Sequence, residues 1–284
     1  MRFVAFALAG FLAGHSSVRI SDAAAREVEI VGVDYAFRAP SELPAGPTRF
    51  SFRSEGKVNH EMVIFLLKKD ETVDQFINAQ KIPGTRSGPL IEGAVGILFA
   101  VPGKRWTNVL LTDLIAGRQY VIFCALRDTA NAPRHFEMGM YSVINVRGAE
   151  GPRVSRGVKA DTIVATEYAF RYATTISSGH HIFALRNEGK VGHEFFIALL
   201  KKGATTEMFI KARKANANPQ QYIDERNGIL LSPGPTQQSL GDLDVNLLPG
   251  RDYRLVCNFM DDPKSPPHVD LGMYGTIHVS GTAQ

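Results

Sequence analysis

The sequence predicts an all-β protein made of two tandem copies of one β-rich unit. Three observations carry this. The chain repeats itself at a nearly fixed offset, apolar residues alternate with polar ones over short runs, and 26 glycines and 15 prolines supply many turns. The 284 residues suit two domains of ordinary size. Hydrophobic residues at 44% and charged residues at 21% exclude wholesale disorder. The net charge of +4, with no long basic run, argues against nucleic-acid binding. Two cysteines are too few for a disulfide-stapled scaffold or a zinc site of several cysteines.

The first 25 residues read as a signal peptide. Arg2 precedes an apolar run from Phe3 to Gly14, too short to span a bilayer, and Ala23-Ala24-Ala25 offers a cleavage site before Arg26. A retained membrane anchor is the alternative. Leu12-Ala13-Gly14 is followed by His15 where a lipidated cysteine would stand, which argues against a lipid anchor. Cleavage removes Arg2, Arg19 and Asp22, so the net charge becomes 4 − 2 + 1 = +3. The expectation is an exported protein, periplasmic or secreted, with no stable membrane insertion.

The repeat sets the domain boundaries. Tyr35-Ala36-Phe37-Arg38 returns as Tyr168-Ala169-Phe170-Arg171, and Glu55-Gly56-Lys57-Val58 as Glu188-Gly189-Lys190-Val191. His60-Glu61 matches His193-Glu194, and Leu66-Leu67-Lys68-Lys69 matches Leu199-Leu200-Lys201-Lys202. Cys124 matches Cys257, and His135, Gly139, Met140 and Tyr141 match His268, Gly272, Met273 and Tyr274. Unit 1 spans 26–148, a linker 149–157, and unit 2 158–284.

Within each unit the pattern is mostly strand. Val31, Val33, Tyr35 and Phe37 alternate with polar or small residues, as do Val164, Thr166, Tyr168 and Phe170. Phe50 and Phe52 share one face of a second strand. His60 opens a third, with Met62, Ile64 and Leu66 on its own face and Val63 and Phe65 opposite, so this strand is expected to be buried on both sides. Tyr120, Ile122 and Cys124 share a face of the next, and Tyr141 to Val146 closes the unit. After Lys69 the β pattern breaks. Thr72 and Gln75 form a capping box for a short helix carrying Phe76 and Ile77. Its counterpart, with Phe209 and Ile210, is expected to be longer and to run toward Tyr222.

Each unit keeps one cysteine, two histidines and one methionine. A soft thiolate, two imidazoles and a weak thioether are the donors of a blue-copper centre, because they suit both oxidation states of the metal. Taken singly, a buried cysteine or methionine is an ordinary core residue. Retention of all four types in both copies, while nearby loop residues diverged, favours a metal site. A disulfide between Cys124 and Cys257 is the competing account in an oxidising compartment. The repeated Asp128 and Asp261 either order the loop or offer an oxygen ligand.

The order of these residues resembles the cupredoxin (plastocyanin–azurin) family across essentially both units. The run Leu248-Pro249-Gly250-Arg251-Asp252-Tyr253-Arg254-Leu255-Val256-Cys257, then His268-Val269-Asp270-Leu271-Gly272-Met273, carries it. The resemblance implies two tandem Greek-key β-sandwiches, each with a short helical insertion and a metal at one end. It implies His60, Cys124, His135 and Met140 as the copper ligands of unit 1, and His193, Cys257, His268 and Met273 as those of unit 2. Two features depart from the small members. The Cys-x10-His loop is long, and Glu61 or Glu194 follows the first histidine where asparagine is common; that carboxylate faces away and needs a partner.

The resemblance also implies one-electron transfer with a redox partner protein. A copper carrier or resistance protein, and a metal-free interaction module, are the alternatives. Multicopper oxidases use several His-x-His pairs, and copper nitrite reductases place a histidine beside the cysteine. Neither feature occurs in this chain, so no enzymatic activity is expected. His180, His181 and His278 are expected at the surface.

Overall fold

The computed structural model describes residues 25–82, 88–148, 160–232, 234 and 239–281. Residues 1–24 of the expected leader, and the expected linker, lie outside them. Unit 1 runs β1 (Arg26–Val33), β2 (Ala36–Arg38), β3 (Glu42–Pro44), β4 (Gly46–Ser54), β5 (His60–Leu67), α1 (Val73–Lys81), β6 (Ile91–Ala100), β7 (Val109–Leu114), β8 (Gln119–Phe123) and β9 (Tyr141–Arg147). Unit 2 repeats the order as β10 (Asp161–Thr166), β11 (Ala169–Arg171), β12 (Thr175–Ile176), β13 (Gly179–Asn187), β14 (His193–Leu200), α2 (Thr206–Lys214), β15 (Ile223–Ser232), β16 (Gly241–Leu247), β17 (Asp252–Val256) and β18 (Tyr274–Val279).

The described strands form two sheets, and both run through both units. One is ordered β11-β10-β13-β16-β7-β4-β1-β2, the other β12-β18-β17-β14-β15-β6-β5-β8-β9-β3. The fold is thus an all-β sandwich in which the units share their sheets. The period-2 pattern of β5 shows why the layers stack. Met62, Ile64 and Leu66 enter the core between the sheets, while Val63, Phe65 and Leu67 enter a second apolar layer on the outer face. Each such side chain contributes about 1.5–3 kcal/mol on full burial.

The outer layer is closed by the helices. Thr72 caps α1 by accepting from the Gln75 amide, and Gln75 reciprocates, so the capping box forms. Phe76 then packs edge-on against Phe123 at 5.3 Å and Phe65 at 5.9 Å. Helix α2 is no longer than α1; both have nine residues. Asn216 takes a left-handed φ of 52°, which ends the helix, and the chain toward Tyr222 is a separate 3-10 turn started by Pro219. The first strand also differs from its alternation pattern. It breaks at Asp34-Tyr35, both with positive φ, and β2 folds back on β1 with Val33 opposite Ala36.

The units meet through equivalent strands. β7 pairs antiparallel with β16, placing Leu110 opposite Leu243, its own counterpart. β6 meets β15 with Ile97 opposite Ile229. Gly96 permits this approach, since a Cβ there would stand 2.8 Å from the Ile229 carbonyl oxygen.

Candidate metal centres

Histidines 60 and 193 sit at the first residues of β5 and β14, on the inner face of the ten-stranded sheet. Cys124 and Cys257 directly follow β8 and β17, the neighbouring strands. The second histidine of each unit opens a 3-10 turn, His135–Met138 or His268–Leu271, which Gly139 (φ 102°) and Gly272 (φ 105°) end in the left-handed region. Backbone bonds close the loop on itself. The Cys124 amide donates to the Met140 carbonyl at 3.2 Å, and the Met140 amide to the His135 carbonyl at 3.0 Å. Unit 2 repeats them at 3.1 and 2.9 Å between Cys257, Met273 and His268.

The result is one three-donor cluster per unit, His60–Cys124–His135 and His193–Cys257–His268, with donor atoms within 4.8 Å of one another. In unit 1 the two Nδ1 atoms are 3.2 Å apart, and Cys124 Sγ lies 3.3 Å from His135 Nδ1. In unit 2 the Nδ1 atoms are again 3.2 Å apart, with Cys257 Sγ 3.4 Å from His268 Nδ1 and 3.9 Å from His193 Nδ1. Donors held about 2.0–2.1 Å (N) and 2.3 Å (S) from a common ion at tetrahedral angles would stand roughly 3.3–3.6 Å apart. The clusters therefore have the donor types and the spacing for a single soft-to-borderline ion. Met140 and Met273 are fully buried beside them in the chain.

Burial sets the electrostatics. Desolvation, with the partner imidazole next, lowers His60 and His193 to about 4, so both are neutral bases at pH 7. Desolvation likewise pushes the Cys124 and Cys257 thiols up to about 12, so ligation must displace a proton. The Glu61 and Glu194 amides donate to Cys124 and Cys257 Sγ at 3.4 and 3.3 Å. Their carboxylates face away and find partners in the Ala125 amide for Glu61, and the amide and side chain of Asn258 for Glu194.

The long Cys-to-His loop carries Asp128 back onto the histidine. His135 Nε2 lies 3.1 Å from Asp128 Oδ1, and His268 Nε2 lies 3.0 Å from Asp261 Oδ1. The aspartates therefore order the loop and stand behind the histidines, away from the Nδ1 side. Each accepts a second bond, at 2.6 Å, from Tyr35 or Tyr168. That bond is the largest influence holding each carboxyl below its ordinary range. The tyrosines gave no chemical signal in sequence beyond their place in a repeated tetrapeptide.

Both cysteines are free and buried, so the disulfide does not form. His180 and His278 are exposed and paired with Asp244 and Asp252. His181 is only 15% exposed; it pairs with Asp161 and stacks on Phe183, which removes it from the expected surface set.

No family model and no curated protein matches the chain. Solved structures do. Reduced auracyanin from Roseiflexus castenholzii is 20% identical over 44% of this chain and 98% of its own, with a TM-score of 0.30. A multicopper oxidase is 14% identical over 90% of this chain and 89% of its own, with a TM-score of 0.25. A copper-containing nitrite reductase from Thermus scotoductus is 14% identical over 92% of this chain and 63% of its own, with a TM-score of 0.23. These likenesses concern fold. The expectation that the chain is no enzyme does not stand, because the chain brings together two His–Cys–His groups that could hold a metal ion. The missing His-x-His and His–Cys features are no ground for excluding catalysis. The chain is an all-β protein of two repeated units that share two sheets, each unit assembling a His–Cys–His group that could hold a metal ion.

Proposed function

We propose that the chain binds one copper ion in each unit and exchanges single electrons with a redox partner protein after export. His60 and His135 Nδ1 with Cys124 Sγ form the first site, with Met140 as the weak axial donor. His193, His268, Cys257 and Met273 do the same in the second. The observation that carries this reading is the convergence of two Nδ1 atoms and one Sγ, twice, at separations suited to one ion. The chemistry the metal supplies is exchange between its cuprous and cupric states. The protein's part is to exclude water and keep the donors still. His60, His193 and His268 are fully buried and His135 nearly so; His60 and His193 are tied to the ends of paired strands, and His135 and His268 open the 3-10 turns of the loops. The leader-like N-terminus supports export.

Copper analysis with an optical spectrum tests the proposal. Full-length protein purified without chelators is expected to bind two copper equivalents and to show an intense visible thiolate-to-copper band. Copper without that band would point to a carrier or resistance protein and overturn electron transfer. No copper after reconstitution would overturn the site itself.

A further inference from the structure

Beside each candidate centre, a tyrosine occupies a backbone conformation that bulky residues seldom adopt. Tyr35 has φ 57° and Tyr168 φ 55°, each in the tight turn between the first two strands of its unit. The turn presents the ring edge-on to the distal histidine, with centroids 5.1 Å apart for Tyr35–His135 and 4.9 Å for Tyr168–His268. The same tyrosine hydroxyl donates to the aspartate that lies within hydrogen-bond distance of the histidine Nε2. Both copies keep all three contacts, although the turns differ, with Asp34 before one tyrosine and Glu167 before the other.

We propose that Tyr35 with Asp128, and Tyr168 with Asp261, are positioning residues that fix His135 and His268 in the Nε2–H tautomer with the Nδ1 lone pair turned toward the metal position. The inference rests on the copper-binding reading for its meaning, though not for its test. A neutral imidazole has two tautomers and can rotate about its ring axis. Only the Nε2–H form leaves Nδ1 free to ligate. An ionised aspartate can only accept, so it selects that form. The tyrosine hydroxyl fixes the aspartate in turn, and the tyrosine ring restricts rotation of the imidazole. Outer partners of this kind are known to tune metal affinity. The lock also explains the Cys-x10-His spacing, since Asp128 and Asp261 lie in the added loop.

The test uses the full chain carrying Cys257→Ser, so that unit 1 is read alone. In metal-free protein, long-range proton–nitrogen NMR of the imidazoles should show His135 as a single Nε2–H tautomer. Asp128→Ala should mix the tautomers, and Asp128→Asn, whose amide oxygen still accepts, should restore most of the preference. With Cu(II) as the probe, Asp128→Ala should weaken binding by about 10–100-fold. Tyr35→Phe should weaken it by about fivefold, the worth of one hydrogen bond, and should add nothing in the Asp128→Ala background. An Nδ1–H or unselective His135 in the unaltered metal-free protein would overturn the proposal. So would unchanged copper affinity in Asp128→Ala. Loss of copper binding by the Cys257→Ser parent would instead count against the copper reading and leave the tautomer result to decide this one.

Discussion

At the scale of single residues, the two copies differ where one cross-strand pair has been exchanged for another. Phe65 faces Val121 in unit 1, and Ala198 faces Arg254 at the same place in unit 2. The small alanine vacates the volume that the arginine fills. Its guanidinium carbon lies 4.5 Å over Phe196 and 4.2 Å over Phe209, and only 1% of the residue is exposed. Nε and Nη1 find no hydrogen-bond partner among the described residues. Each such buried donor costs about 1–3 kcal/mol, against about 0.5–2 kcal/mol returned by each cation–π contact. Arg254→Met keeps the length and removes the unpaired donors, so it should raise stability by about 1–2 kcal/mol. Urea unfolding checks this, and a less stable variant would mean that the aromatic contacts dominate. Residue types were the legible part of the site. The histidines and cysteine that meet in each cluster could be picked out because the repeat showed each of them twice. The tyrosines could not, because a hydroxyl reaching across 93 residues leaves no local pattern.

At the scale of elements, the strands and helix caps were legible wherever one face is buried, since periodicity then has a physical cause. The double burial of β5, the capping box of α1 and the break after Lys69 follow from the sequence alone. The shared sheets did not, because pairing of β6 with β15 joins strands more than 120 residues apart, and the pattern of a central strand looks the same whichever strand lies beside it. That junction holds a polar group with a testable consequence. Glu225 Oε1 accepts from Asn108 Nδ2 at 2.6 Å and Asn227 Nδ2 at 3.1 Å. Desolvation, opposed by the Asn108 bond and helped by Asp224, raises its carboxyl above the usual range. A raised carboxyl stabilises the fold below its unfolded value, and that contribution is lost as pH rises through the folded one. Glu225→Gln keeps the acceptor oxygen and cannot ionise. Thermal unfolding across pH should therefore show the variant more stable than the natural chain near neutrality, with the gap closing below about pH 4. A gap that widened in acid would contradict the assignment.

At the scale of the whole molecule, the junction has the form of a two-fold interface. Equivalent strands pair antiparallel, β6 with β15 and β7 with β16, and Leu110 meets its counterpart Leu243. This is how identical subunits meet in a dimer, with the two copies joined in one chain. The geometry places the two centres at opposite ends of the shared sheet. His60 pairs with Ala100, three residues beyond Ile97, and His193 pairs with Ser232, three residues beyond Ile229. Because β6 and β15 run in opposite directions the offsets add, giving six residues or about 20 Å along the strands at about 3.3 Å each. Three strand spacings of about 4.8 Å separate β5 from β14 laterally, so the histidines are roughly 24 Å apart. One unit of charge gained at one centre then alters the other by about 0.2 kcal/mol in a water-like medium and about 0.7 kcal/mol at an effective dielectric constant of 20. Both figures correspond to less than a fourfold change in affinity. The centres should therefore load and titrate independently. Cys257→Ser should remove the visible band of unit 2 and leave the band and copper affinity of unit 1 unchanged within that limit, and Cys124→Ser should do the converse. Copper titration of the natural chain should show no cooperativity. If either substitution abolished both bands, or shifted the remaining site more than tenfold, the two clusters would not be separate centres, and a single site shared between the units would have to replace them.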